Sequence, residues 1–258
     1  MSETRLSEAE QNHPPRVTVR PTLPAPVPTV TYALLGVTVL IYVAQLASVV
    51  LLGSPMGNLD WLEYLGARIN PAIRDGEVWR LITPMFLHAS PPHIFFNMYG
   101  LFALGSVLER YFGHLRFLML YLLAGFAGNV LSFVMSSDNG YSVGASTAVF
   151  GLAAAEGVFL YQNRRIFGDQ VRRGIGNIIF VLAVNLFIGL TPGIDNWGHV
   201  GGLVGGLMFT SLAGPRWEFE GLYPMVQLVD RREFRQVATG AGSVVVVFGL
   251  LAAWGMMS

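Results

Sequence analysis

Apolar residues in this chain of 258 residues gather into seven long stretches that polar segments separate. A helix that crosses a bilayer needs roughly 20 mostly apolar residues. Four of the stretches are shorter than about 18 residues, and any one of these alone would also suit a soluble core helix. Because the seven together leave little chain for a soluble body, we predict an all-α, polytopic membrane helical bundle. The predicted spans are Val30–Leu52, Ile94–Leu108, Phe117–Met135, Ala145–Tyr161, Ile175–Leu190, Trp197–Leu212 and Gly240–Met257.

The composition supports the membrane interpretation and argues against several other classes of protein. Hydrophobic residues make up 53% of the chain and charged residues only 12%, whereas soluble domains carry about 25% charged residues. The 16 basic and 16 acidic residues give a net charge of zero, which argues against nucleic acid as a partner. The chain has no Cys, which excludes a disulfide framework, Cys-bound zinc and a thiol nucleophile. No spacing of His and acidic residues favours a metal site, and we expect no cofactor.

The positions of the arginines predict how the helices are oriented. With a cytoplasmic N-terminus, thirteen arginines lie in cytoplasmic segments and only three, Arg68, Arg74 and Arg80, lie on the other side. Cytoplasmic segments of membrane proteins carry an excess of Lys and Arg. We therefore expect a multi-pass protein of a bacterial inner membrane, with a cytoplasmic N-terminus and the candidate site towards the outer face.

The segments between the apolar stretches divide the chain into regions. Residues 1–28 include six Pro and are expected to form a disordered cytoplasmic tail. Residues 29–213 are predicted as a six-helix core, in which the moderately apolar segment 53–92 lies partly in the membrane interface. Residues 214–239 are predicted as a cytoplasmic linker, and residues 240–258 as a seventh transmembrane helix.

Four polar side chains at the outer ends of predicted helices are candidates for chemistry, because polar groups within a span are costly and often functional. Ser146 begins the fourth span and His199 lies near the start of the sixth. His93 and Asn97 open the second span. Since these three helices all run from the outside inward, the four residues can converge in one layer. Taken singly, Ser146 would more often be an N-cap and His199 a buried core residue.

The local sequence around each candidate favours catalysis over these simpler interpretations. The first turn of a helix has unpaired amides that can hold a developing oxyanion near Ser146. Gly198, Gly202 and Gly206 recur every fourth residue, which lets the sixth helix approach a neighbour closely and bring a base to a serine hydroxyl. His93 and Asn97 share one helix face, where they could complete an oxyanion site, form a helix-packing hydrogen bond or provide half of a metal site.

With these features the sequence resembles the rhomboid family of intramembrane serine proteases. The resemblance covers roughly residues 30–213, and the order, spacing and helix assignment of its motifs all agree. The seventh helix after a linker resembles the six-plus-one variant of that family. The matching motifs are Glu77-Val78-Trp79-Arg80, His93-Ile94-Phe95-Phe96-Asn97, Gly144-Ala145-Ser146 and Gly198-His199-Val200-Gly201-Gly202 with Gly206.

The resemblance implies a role for each candidate residue. It makes Ser146 the nucleophile and His199 the general base and later the general acid. It assigns His93 and Asn97 to the oxyanion hole, together with the Ser146 backbone amide, and Phe150 to the ring that packs under the catalytic His. It makes Trp79 and Arg80 part of a structural turn in the outer loop. The substrates would be single-pass transmembrane proteins that enter the site laterally from the bilayer, on the side formed by the fifth span.

Three further residues qualify this prediction. Thr147 follows the nucleophile where the family usually has Gly, but a β-branched residue can hold helical dihedral angles and keeps its amide. Asp195 lies one turn before His199, where it could orient the imidazole, although an N-cap role is the favoured interpretation. Glu156 lies ten residues after Ser146, about 15 Å deeper, which is too far for chemistry.

Two other functions remain open at the level of sequence. A catalytically inactive rhomboid-like protein could bind membrane clients without cleaving them. A small transporter or channel could use the His and Asn residues to line a path, although intramembrane acidic residues are scarce. The sequence names neither the substrate nor the oligomeric state.

Overall fold

The computed structural model describes residues 26–221 and 226–258, most of which are helical. Residues 1–25 of the predicted tail lie outside this part. Three short helices are α2 (Trp61–Gly66), α3 (Asn70–Arg74) and α7 (Arg164–Phe167). Seven long helices accompany the seven predicted spans: α1 (Thr29–Leu52), α4 (Pro91–Phe112), α5 (His114–Met135), α6 (Ser146–Gln162), α8 (Gln170–Ile188), α9 (Asn196–Ala213) and α10 (Phe234–Met257).

Four of these helices, α1, α5, α8 and α10, are long and apolar enough to cross a membrane. The other three, α4, α6 and α9, carry the predicted site residues. With 17 and 18 residues, α6 and α9 are roughly 26 and 27 Å long at 1.5 Å per residue. Both are shorter than the roughly 30 Å hydrocarbon core of a bilayer. Neither helix is therefore long enough to span that core completely.

Glycines bring α9 against α5 and α6 at backbone distance, as their four-residue spacing predicts. A Cβ added at Gly202 would overlap the Thr147 carbonyl oxygen on α6. A Cβ added at Gly201 would lie 2.6 Å from the Ala127 carbonyl oxygen on α5. Any larger side chain at these positions would push α9 away from both neighbours.

The segment between α1 and α4, which the arginine pattern predicts to face outward, is folded rather than extended. It contains α2, α3 and two 3₁₀ helices, Val78–Leu81 and Thr83–Phe86. Its strand β1 (Arg68–Ile69) pairs antiparallel with β2 (Tyr141–Ser142), the short strand that precedes α6. The segment is thereby joined to the chain immediately before Ser146.

The structural turn that the resemblance implied for Trp79 and Arg80 is present in this segment. The buried Arg80 guanidinium donates hydrogen bonds to the Tyr64 and Ala67 carbonyl oxygens, both 2.8 Å, and to a Glu77 carboxylate oxygen at 2.6 Å. The Trp79 indole donates to the Leu65 carbonyl oxygen at 3.0 Å. Because one buried cation bonds two backbone carbonyl oxygens, this part of the segment has a fixed shape.

The predicted boundaries of the C-terminal linker are wrong. The helix expected from Gly240 begins at Phe234, six residues earlier. Its first turn includes Arg235 and Gln236, which interrupt the apolar pattern, yet a reciprocal capping box between Glu233 and Gln236 starts the helix there. The preceding residues form an antiparallel pair of strands, β3 (Trp217–Glu220) and β4 (Gln227–Asp230).

Candidate active site

Ser146 is the first residue of α6 and does not act as its N-cap. Ala145 occupies the N-cap position, and no side chain caps this end of the helix. The serine is half-buried, and the unpaired amides of the first turn surround it. The capping interpretation of Ser146 is therefore wrong, and its hydroxyl is left available for chemistry.

The turn before Ser146 requires glycine. Gly144 has a φ of +125°, a conformation that other residues rarely adopt. Its N–H donates to the Pro84 carbonyl oxygen at 2.9 Å, which fixes the turn to the second 3₁₀ helix. A Cβ at this position would lie 2.6 Å from His93 Nε2 and 3.7 Å from Ser146 Oγ. The imidazole of His93 and the serine hydroxyl therefore flank the same small space.

His199 lies on the face of α9 that contacts α6. Its ring stacks on the Phe150 ring with centroids 4.1 Å apart and planes 6° apart, as the resemblance implied. Phe150 lies on α6 one turn after Ser146. His199 is only 7% exposed, and its Nδ1 is buried without a hydrogen-bond partner within the described residues. Stacking and close helix contact thus hold the imidazole beside the helix that carries Ser146.

Within residues 26–221 and 226–258, no hydrogen bond joins the Ser146 hydroxyl to the His199 imidazole. The two side chains lie on contacting helices but are not hydrogen-bonded to each other. Nucleophile and base are often loosely spaced in the absence of substrate. If the pair is to react, the Ser146 hydroxyl and the His199 imidazole must therefore come within hydrogen-bond distance when a substrate binds.

Asn97 and His93 lie together at the outer end of α4. The Asn97 amide donates to the His93 carbonyl oxygen at 2.9 Å, which is a bond within the helix. The amide has a second N–H that this bond does not use. The third alternative, half of a metal site, lacks support, because no group of three or more potential ligands occurs in the described part of the chain.

Asp195 is the N-cap of α9, as the sequence favoured. Its carboxylate accepts a hydrogen bond from the Gly198 amide at 2.9 Å. The same carboxylate accepts from the Ser132 hydroxyl and lies 3.9 Å from the buried Arg68 guanidinium. With these partners Asp195 fixes the start of the helix that carries His199, and its carboxylate does not contact the imidazole.

Thr147, the departure from the usual motif, occupies space that two glycines provide. Its side chain is buried, and its methyl group lies beside Gly128 of α5 and Gly198 of α9. A Cβ on Gly128 would lie 2.5 Å from the Thr147 Cβ. The larger side chain is therefore accommodated by small neighbours.

Sequence reasoning missed His88, whose side chain supports the turn before Ser146. His88 is 1% exposed, and its Nε2 accepts a hydrogen bond from the Ala145 amide at 3.4 Å. Its ring packs edge-on against His93 with centroids 5.1 Å apart. Burial, together with His93, lowers the pKa of His88 to about 3, so the imidazole stays neutral and can accept this bond.

The backbone of His88 is held in turn by Gln45 of α1. The His88 amide donates to Gln45 Oε1 at 3.0 Å, and the Gln45 amide donates to the His88 carbonyl oxygen at 3.3 Å. The Gln45 amide also donates to Asp60 at 2.6 Å. The only sequence signal for this network is a polar Gln within an apolar stretch, since the loop residues have no periodic pattern.

Comparison with known proteins finds a matching family and several similar proteins. The Rhomboid domain matches residues 75–216. The chain is 38% identical over 189 residues to the rhomboid protease GluP of Bacillus subtilis, covering 72% of this chain and 35% of that protein. It is 38% identical over 167 residues to the mitochondrial RHOMBOID-like protein 6 of Arabidopsis thaliana, covering 63% and 51%, respectively.

A further relative is Rhomboid-like protease 1 of Toxoplasma gondii, which is 36% identical over 154 residues, or 59% of this chain and 52% of that protein. The chain thus spans about a third to a half of the length of these relatives. The matched domain contains all four candidate residues and covers more than half of the chain. The chain belongs to the rhomboid family.

Proposed function

We propose that this integral membrane protein is an intramembrane serine endopeptidase in which Ser146 is the nucleophile and His199 is the general base. The observation that carries the proposal is the stack of His199 on Phe150, one turn after Ser146. It supports a base on α9 beside the nucleophile on α6, with both groups at the same ends of their helices.

The reaction begins when the Ser146 hydroxyl oxygen attacks a peptide carbonyl carbon and His199 takes the hydroxyl proton. The carbonyl oxygen becomes an oxyanion, which accepts hydrogen bonds from the Ser146 amide and from His93 and Asn97. Each such donor lowers the barrier by about 3–4 kcal/mol. His199 then gives its proton to the leaving amine, and the C–N bond breaks. Water, activated by His199, hydrolyses the acyl-enzyme and restores Ser146.

The expected topology follows from the same arrangement. Six helices from α1 to α9 form the core across the membrane, and α10 is the seventh span after residues 214–233. The N-terminus is cytoplasmic and the Ser146 end of α6 faces outward, in a bacterial inner membrane. A single-pass transmembrane substrate approaches from the lipid near α8 and unwinds locally, because an intact helix hides its carbonyl groups in internal hydrogen bonds.

Cleavage in proteoliposomes tests the proposal. The purified full chain should cleave a single-pass test protein, and Ser146→Ala and His199→Ala should each abolish cleavage. Ser211→Ala, which alters a hydroxyl that only bonds the Leu207 carbonyl oxygen near the other end of α9, should cleave normally. Cleavage by Ser146→Ala at the wild-type rate would overturn the assignment.

A second candidate function is a catalytically inactive protein that binds membrane clients. The lack of a Ser146–His199 hydrogen bond in the described residues and the presence of Thr147 favour it. It predicts that the wild-type chain binds the test protein but leaves it intact at every substrate concentration.

A further inference from the structure

Glu156 is an ionisable residue in the interior of α6 that the proposed reaction does not use. Within residues 26–221 and 226–258 it forms neither a hydrogen bond nor an ion pair. It lines a cavity of about 250 Å³ between α4, α6, α7 and α8. An unpaired carboxylate within a membrane span is costly, so a partner for it is expected.

The walls of this cavity suit a cation. Tyr111, Phe159 and Phe167 line it together with Glu156. Their rings pack mutually, with centroids 4.8 Å apart for Tyr111 and Phe159, 5.9 Å for Tyr111 and Phe167, and 5.6 Å for Phe159 and Phe167. Aromatic faces attract ammonium and guanidinium groups within about 6 Å, and a carboxylate adds its charge. Phe159 is only 1% exposed and supports the other two rings, so the cavity offers a cation the Glu156 carboxylate and the rings of Tyr111 and Phe167.

The cavity lies at the end of the helices opposite to the candidate active site. Glu156 is ten residues beyond Ser146, or about 15 Å along α6, and Tyr111 is about 27 Å beyond His93 along α4. Both α4 and α8 pack on α6, and the cavity opens in the gap that they flank. A helix that presents a peptide bond to Ser146 from this side would pass the cavity about 10–16 residues later.

Transmembrane segments carry Lys or Arg on their cytoplasmic flank. In the proposed orientation, this flank of a substrate reaches the depth of the cavity while the other end lies at Ser146. The main competitors belong to the chain itself, because Arg172 and Arg173 precede Gly174, which lines the cavity. Neither of them pairs with Glu156 in the described structure.

We propose that Glu156, with the rings of Tyr111 and Phe167, binds a Lys or Arg side chain from the cytoplasmic flank of the substrate. This inference rests on the proposed protease function and adds a second recognition point to it. The bound charge fixes how far the substrate helix descends and so selects the peptide bond that reaches Ser146.

Matched substrates test the inference in proteoliposomes. A set of single-pass test proteins carries Lys, Gln or Glu at one position, which is scanned from 10 to 16 residues beyond the cleaved bond, consistent with a helical rise of about 1.5 Å per residue. Rates are divided by the amount of enzyme that reacts with a fluorophosphonate probe. Wild type should prefer the Lys substrate over the Gln substrate by about fivefold in kcat/KM at the best position.

The charge of Glu156 should decide this preference. Glu156→Gln should reduce the Lys/Gln ratio to about one, and Glu156→Lys should reverse it in favour of the Glu substrate. Glu220→Gln, an exposed carboxylate on β3, should keep the wild-type ratio. A reversal cannot arise from a merely structural role of the carboxylate.

The outcomes separate this inference from the proposed function. A Lys/Gln ratio of one in wild type, or a ratio that survives Glu156→Gln, overturns the inference while cleavage itself still supports the protease. Equal losses for all substrates in Glu156→Gln also overturn it, because the carboxylate would then serve the fold. The absence of probe reaction and cleavage in wild type overturns both.

Discussion

Two regions of the molecule are packed in opposite ways. Of the 18 residues in its most apolar stretch, α5 buries 61% and α8 only 6%. The α5–α6–α9 unit is held by backbone contacts at Gly201 and Gly202, whereas α8 packs mainly on one face of α6. The difference teaches where geometry is fixed and where it can change. The closely packed unit carries Ser146 and His199, and the loosely held helix is the one that we propose borders the path of the substrate.

A matched pair of glycine substitutions should separate the two regions most strongly. Gly202→Ala places a methyl group on the Thr147 carbonyl oxygen and should lower the free energy of unfolding by about 3 kcal/mol or more. Gly176→Ala on α8 meets nothing within 4 Å and should raise it by up to about 1 kcal/mol. Denaturation in detergent measures both. Similar losses for the two variants would show that α9 and α8 are packed alike.

Removing the imidazole of His88 should destabilise the closely packed unit at the turn before Ser146. His88→Ala leaves the buried Ala145 amide without an acceptor, which should cost about 2 kcal/mol of unfolding free energy and slow reaction with a fluorophosphonate probe about tenfold. His88→Gln supplies an oxygen near the position of Nε2 and should restore most of the rate. An unchanged rate in His88→Ala at full stability would show that the turn before Ser146 does not need this bond.

The ring beneath His199 should have a smaller effect that is visible in reactivity. Phe150→Leu keeps an apolar side chain but removes the stack, which should cost about 1 kcal/mol and slow the probe reaction severalfold. Phe187→Leu is the control, because this α8 ring is 76% exposed. Equal probe rates for Phe150→Leu and the wild type would mean that stacking does not position the imidazole.

The smallest expected effect is a pH dependence of the outer segment. Burial raises the pKa of Glu63 to about 7; the hydrogen bond from the Asp60 amide lowers it, and the Asp60 carboxylate raises it. In the unfolded chain the carboxyl has a pKa of about 4.3, so the folded state binds more protons between that value and 7. The contribution of Glu63 to the free energy of unfolding therefore falls as the pH rises through this window, so the free energy of unfolding should change with pH more negatively in the wild type than in Glu63→Gln.

The measurement is the free energy of unfolding as a function of pH. Glu220→Gln is its control, since that carboxylate is exposed and its removal should leave the slope of this free energy against pH unchanged. If the free energy of unfolding of Glu63→Gln changes with pH as it does in the wild type, a group other than Glu63 titrates in this window. His88 contributes a slope of the opposite sign up to about pH 6.5, because its pKa of about 3 in the folded state lies below that of a free imidazole; this contribution is the same in the wild type and in Glu63→Gln.

Sequence reasoning reached the helices and the main site residues because both follow simple periodic rules. Apolar stretches located the seven long helices, and the position of Ser146, His199, His93 and Asn97 on inward-running helices predicted that they would share one end of the bundle; Phe150 came only from the family resemblance. The four-residue spacing of Gly198, Gly202 and Gly206 predicted the close approach of α9. These features depend on residues near each other in sequence.

The missed features depend on contacts between distant segments. His88 acquires its role from Ala145, 57 residues later, and from Gln45, 43 residues earlier. The start of α10 at Phe234 depends on a capping box in a polar turn that no apolar pattern marks. The strands of the linker have only four residues each, too few to show a clear alternation.

The account depends most on the pairing of a hydroxyl on α6 with an imidazole on α9, and mass mapping of a covalent adduct measures it directly. Detergent-purified protein is treated with a fluorophosphonate, digested and analysed for the modified residue. The account predicts one adduct, on Ser146, that forms in wild type and is lost in His199→Ala while Ser211→Ala keeps it. An adduct on a different serine, or equal modification of Ser146 with and without the His199 imidazole, would contradict it.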